Sequence, residues 1–187
     1  MRSVFCLAFP IALILSGCGK ETKLERRTIN YPNGKSVSED WTFVRQPNGD
    51  TLKHGVHKKF FWNGNTGESV IWKMGLKDGS AQAWYDNGAV KWQKSYEAGK
   101  KKGTWRLFYQ DGHPWIVVHY GKDLLSGNVQ VWDKADATEP RSAEFANGAC
   151  KSGDCGLLEP PVLPPDIAAG EKVEKTRAWD IVKEFQN

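Results

Sequence analysis

From Val90 to Tyr96 the chain alternates, with Val90, Trp92, Lys94 and Tyr96 separated by Lys91, Gln93 and Ser95. A period of two is the signature of a strand. Upstream, Gly79-Ser80-Ala81-Gln82-Ala83-Trp84-Tyr85 is a second short run that ends on two aromatics, and Asp86-Asn87-Gly88 follows it. Asn-Gly and Asp-Gly favour type I′ turns, in which both central residues need positive φ. The two runs and the turn between them predict a β-hairpin.

The same pattern returns at a spacing of 24 residues. Gly55, Gly79, Gly103 and Gly127 form one column, and Phe60, Trp84, Phe108 and Trp132 a second. Phe61, Tyr85 and Tyr109 form a third, and Trp72, Tyr96 and Tyr120 a fourth. The turn pairs Asn63-Gly64, Asn87-Gly88 and Asp111-Gly112 form a fifth. Coincident columns at one period predict a tandem repeat of a single hairpin unit, with the opening Gly marking the turn between units. A helical reading fails, because each recurring Gly would cost about 1 kcal/mol inside a helix. Weaker copies flank the regular ones: Tyr31-Pro32-Asn33-Gly34 and Trp41–Val44 with Asn48-Gly49 before them, and Ser142–Phe145 with Asn147-Gly148 after them. End copies of an array are irregular because they cap it.

The aromatic pair before Asn/Asp-Gly, the aromatic before the next Gly and the Gly opening each copy resemble the MORN-repeat variant of bacterial proteins, including YwqK-like antitoxins. The resemblance covers about residues 31 to 148. It implies an all-β repeat fold, a curved antiparallel β-meander with one hairpin per repeat.

The two ends read differently. Met1 and Arg2 precede an apolar run from Val4 to Leu15. It is shorter than the roughly 20 residues that span a bilayer, and it has the length of a secretory h-region. It closes on Leu15-Ser16-Gly17-Cys18, which resembles the lipobox of bacterial lipoproteins. That resemblance implies that residues 1–17 are a removed signal peptide and that Cys18 is acylated and anchors the chain in a lipid bilayer. Gly19, in place of Asp, implies the outer membrane, facing the periplasm. Residues 18–30 are polar and read as a flexible tether, and 31–156 as the repeat domain. Residues 157–187 combine a stiff segment holding Pro160, Pro161, Pro164 and Pro165 with a helical pattern that sets Ala178, Ile181, Val182 and Phe185 on one face. This short C-terminal helix is expected to cover apolar sheet surface or an open edge.

Composition narrows the class. Of 187 residues, nine are Trp, eight Phe and five Tyr, and 26% are charged. Such a chain buries a core and is neither disordered, collagenous, coiled-coil nor a polytopic membrane protein. A net charge of +4 is too mild to point to nucleic acid. Cys150 and Cys155 flank Lys151-Ser152-Gly153-Asp154. In an oxidising periplasm they predict a local disulfide, with a Cys-x₄-Cys redox site as the sharper alternative.

Catalytic signals are weak. His54, His57, His113 and His119 lie at no ligand spacing that suits a metal. No nucleophile elbow, phosphate loop or dinucleotide fingerprint occurs. No catalytic residue, cofactor or metal is therefore expected, and the chain reads as a non-enzyme. The rings carry the rest. Phe60, Trp84, Phe108 and Trp132 are expected to stack as the core face of a thin sheet. Phe61, Tyr85, Trp105, Tyr109 and Trp115 fall on the opposite face and are the candidate exposed binding residues for a protein, glycan or lipid. The expected function is non-catalytic binding in the envelope, with a protein as partner. The family resemblance implies an antitoxin or immunity role against a periplasmic toxin. The alternative is envelope carbohydrate or lipid-headgroup binding, and the paired aromatics are similar to choline-binding repeats.

Overall fold

A computed structural model describes residues 23–133 and 136–158. The expected signal peptide, Cys18, the Pro-rich segment and the expected C-terminal helix lie outside the described residues. Inside them the chain is all-β, and no helix occurs among the described residues. The strands are β1 (Leu24–Asn30), β2 (Val37–Arg45), β3 (Thr51–Phe60), β4 (Thr66–Lys73), β5 (Leu76–Trp84), β6 (Val90–Glu97), β7 (Lys100–Lys101), β8 (Gly103–Phe108), β9 (Pro114–Gly121), β10 (Leu124–Leu125), β11 (Gly127–Val131), β12 (Arg141–Ala146) and β13 (Ala149–Gly153). They make one open antiparallel sheet in chain order, with β7 and β8 both pairing β6, and β10 and β11 both pairing β9. The sheet begins at Leu24, so residues 24–30 are a strand rather than tether. Arg26 locks that strand onto β2 through paired bonds of 2.7 and 2.5 Å to Asp40.

Two kinds of turn alternate along the meander, and their places are exchanged relative to the sequence reading except at Asn147-Gly148, where both residues have positive φ as expected. The Asn63-Gly64, Asn87-Gly88 and Asp111-Gly112 loops are type I turns followed by a positive-φ glycine. Gly88 N–H donates to Tyr85 O, Tyr85 N–H donates to Ala89 O, and the Asn87 side-chain oxygen accepts from Ala89 N–H at 2.9 Å. Asn63 and Asp111 do the same for Asn65 and His113. Asx side chains that cap their own turn remove the need for positive φ at that residue. The type I′ turns stand at the other end of each hairpin. There φ is positive at both Met74 and Gly75, both Ala98 and Gly99, both Lys122 and Asp123, and both Asn147 and Gly148.

The opening glycines mark bulges, not turns. Gly55 and Gly79 sit inside β3 and β5, where the pairing register slips, and Gly103 and Gly127 open β8 and β11 after a break. All four have positive φ. The bulges free backbone carbonyls, and hydroxyls from the neighbouring strand take them: Thr42 Oγ1 donates to His54 O, and Ser95 Oγ to Lys102 O.

Cross-strand partners share a face, so register assigns the core. Trp105 pairs Val118, Leu107 pairs Ile116, Ile116 pairs Val131 and Val129 pairs Ala143. These side chains are almost completely buried, and Leu157 and Leu158 join the cluster at the chain's exit. The core lies towards the C-terminal strands. Towards the N-terminus the same face carries Glu39, Lys53, Lys59 and Glu68 where the other half carries Val, Leu and Ile. Cys150 and Cys155 are joined, with Cα atoms 5.6 Å apart, and Arg141 closes the same end by bonding Asp133 and Asp154.

Candidate functional site

The expected placement of the rings is overturned for three of the five candidate binding residues, Trp105, Tyr109 and Trp115. Trp105 is 0% exposed, and Tyr109 and Trp115 are 3% exposed each. They are core, not a binding surface. Phe61 and Tyr85 are half-buried. The phenol of Tyr85 donates to Phe108 O at 2.8 Å, and that of Tyr109 to Trp132 O at 2.6 Å. Tyr31 makes the same bond to Phe60 O at 2.6 Å. A ring buries at low cost when its hydroxyl finds a carbonyl, and Tyr109 is the member of its column that is buried.

The core face carries a ladder of cations on rings. Lys53 lies 5.1 Å from the Trp72 ring centre, Lys77 4.8 Å from Tyr96 and Lys101 5.1 Å from Tyr120. The three lysines stand 24 residues apart, as do the three rings, so this column was present in the sequence and was missed. Lys94 is buried between Trp92 at 4.9 Å and Trp105 at 4.7 Å. At the N-terminal end Arg27 covers Trp41 and Phe43. Such pairs hold charge against a half-buried sheet without full hydration.

One polar chain runs through this ladder. Lys53 Nζ is 3.0 Å from His57 Nδ1, and His57 Nε2 is 3.0 Å from Glu39 Oε2. With Lys53 donating, the imidazole accepts at Nδ1 and donates its Nε2–H to the carboxylate. His57 is 5% exposed, and burial holds it below its ordinary value, with Lys53 adding to the shift and Glu39 opposing it. Burial also lowers Lys53. Trp41 packs edge-on against the imidazole at 5.5 Å. The network is satisfied and filled by its own side chains. His54 accepts from Met74 N–H, His113 sits 3.2 Å from Asp111 in an exposed turn, and His119 meets the Thr104 hydroxyl at 2.9 Å. Among the described residues no group of three His, Cys, Asp or Glu is placed to hold a metal.

The opposite, open face is the more accessible one. A continuous row of register partners crosses it: Asp40, Lys58, Ser69, Gln82, Gln93, Arg106, Val117, Gln130 and Ser142. Two residues beyond Lys58, Gln82 and Arg106, on the same face, stand Phe60, Trp84 and Phe108, each half-exposed. Trp132 extends the column and packs partly on the core. At the N-terminal end of the column lies a groove of about 740 Å³, lined by Phe60, Arg26, Thr28, Lys35, Asp40 and Asn63 among others. The Arg26 guanidinium beside Asp40 holds that carboxyl below its usual range, so it stays ionised and paired.

No family model matches this chain, and no curated protein matches it.

Proposed function

We propose that this chain is a non-catalytic binding protein of the bacterial envelope, tethered by acylated Cys18, whose working surface is the open face of its sheet. The 24-residue periodicity reads as tandem MORN-like hairpins, each contributing one ring and one polar residue to that face. The observation that carries the reading is the column of half-exposed rings Phe60, Trp84 and Phe108 beside Lys58, Gln82 and Arg106. A periodic surface of this kind suits an extended partner better than a small substrate. An antitoxin role draws on the turn and aromatic motif alone.

The test separates surface binding from lipid anchoring. Cys18→Ser protein lacking the signal peptide is sedimented with isolated envelopes, alongside a Lys58→Glu/Arg106→Glu form. The unmodified face is expected to carry the acyl-free protein into the pellet, and the charge reversal to leave it in the supernatant. Equal sedimentation of both forms, each shown folded by circular dichroism, contradicts the assignment.

A further inference from the structure

The open face also specifies a ligand class. Phe60, Trp84 and Phe108 end strands β3, β5 and β8, which stand two apart in the sheet. Neighbouring strands are about 4.8 Å apart, so successive rings recur roughly every 10 Å across the strands. That interval is close to the disaccharide repeat of an extended β-1,4-linked sugar chain, so each ring would meet the same sugar of each repeat. The C–H-bearing face of a pyranose packs as an apolar surface on an aromatic ring. The column beside the rings supplies hydrogen-bonding ends at the same interval: Lys58, Gln82, Arg106 and Gln130. Lys58 and Arg106 are exposed; Lys58 stands beside Asp40, whose carboxylate is already taken by Arg26, and Arg106 pairs across the strands with Gln93 and Val117. Arg26, Lys58 and Arg106 outnumber Asp40 along the strip, so it carries a net positive charge that favours an anionic polymer over a neutral one. The groove at Phe60 adds Thr28, Lys35 and Asn63 around a ring at the strip's end, a place for one further sugar with its substituent.

We infer that the open face binds the glycan strands of peptidoglycan, a β-1,4-linked amino-sugar chain whose peptide stems bear carboxylates, laid across the strands over Phe60, Trp84 and Phe108. The inference rests on the preceding reading of the open face as the working surface. It adds that Lys58 and Arg106 meet the carboxylates of the peptide stems and that Gln82 bonds the hydroxyl and acetamido groups of the sugars.

The experiment uses the acyl-free mature chain with protein-free sacculi, and with chitin as the uncharged β-1,4 amino-sugar polymer. Retention on sacculi is expected to exceed retention on chitin. Lys58→Gln/Arg106→Gln is expected to weaken sacculus binding about tenfold while leaving chitin retention unchanged, and Trp84→Ala to weaken both. Arg106 and Lys58 are exposed, so the charge variant stays informative even where Trp84→Ala disturbs folding. Absence of sacculus binding, or binding unmoved by the charge variant, overturns the inference. Retention on extracted envelope proteins but not on sacculi, lost with the same substitutions, also overturns it yet leaves the working surface standing. Retention on neither removes both.

Discussion

The hydroxyl of Tyr109 donates a 2.6 Å hydrogen bond to the backbone carbonyl of Trp132, two strands further along the sheet. Tyr85 bonds Phe108 in the same way. Each bond ties one loop to the end of the next hairpin, so neighbouring units are joined by more than the strand ladder. Tyr109 is nearly fully buried, and removing its hydroxyl leaves a carbonyl short of a donor. Tyr109→Phe is expected to cost about 1–3 kcal/mol, read from urea midpoints. At the matching position Phe61 has no hydroxyl to offer Trp84. Phe61→Tyr is expected to raise stability by about 0.5–1 kcal/mol, seen as a higher urea midpoint. A neutral or destabilising result there would show that the loops do not superpose as the spacing implies.

Gly88 and Gly153 share a φ of +87° and differ in what surrounds them. A Cβ at Gly88 meets nothing within 4 Å, whereas at Gly153 it would lie 2.5 Å from Ser142 O and 2.9 Å from Ala143 Cα. Gly88→Ala therefore carries only the left-handed backbone cost of about 1–2 kcal/mol. Gly153→Ala carries that and a backbone clash beside the Cys150–Cys155 disulfide, so its melting temperature should fall further. Equal losses would contradict the geometry of the last hairpin.

Burial separates two tryptophans that composition treats alike. Trp105 is 0% exposed between Tyr96 and Tyr120, and Trp62 is 74% exposed. Trp105→Ala is expected to cost about 3–5 kcal/mol. Trp62→Ala is expected to stay within about 0.5 kcal/mol. Thermal melts of the two variants decide it.

How much of this was legible in the chain follows from those rings. The alternation in β6 and the 24-residue columns are local and gave the strands, the antiparallel meander and the hairpin ends. Which face closes is not local. Phe60, Trp84 and Phe108 look as apolar as Trp105 and Tyr109, and parity alone does not choose between the two sets. The choice was readable two residues upstream: Lys58, Gln82 and Arg106 stand before the open-face rings, and Gly103 and Leu107 stand before the buried pair. The turn types were misplaced because Asn-Gly serves two geometries, and the Asx bond that selects one of them is a side-chain contact. The Lys53, Lys77 and Lys101 column was overlooked because a lysine on a strand reads as solvated, whereas here each lies against a ring.

His57 gives the fold an acid-sensitive point. Its folded value lies below the ordinary one near 6.5, chiefly through burial. The unfolded chain therefore binds the proton more readily than the folded one. Stability from this group is full above about pH 6.5 and declines as pH falls through the lowered folded value. Urea midpoints across about pH 8 to 5 should fall on the acid side, and His57→Gln should flatten that limb. A parallel decline in the variant would assign the acid sensitivity to other groups.

The most direct test of the working surface is covalent footprinting of aromatic side chains in the acyl-free protein, with and without envelopes. Trp84 and Phe108 should label in the free protein and lose labelling when envelopes are added, while Trp105 and Tyr109 stay unlabelled in both. Unchanged labelling of Trp84 and Phe108 on bound protein, or labelling of Trp105 and Tyr109 in the free chain, would contradict the account.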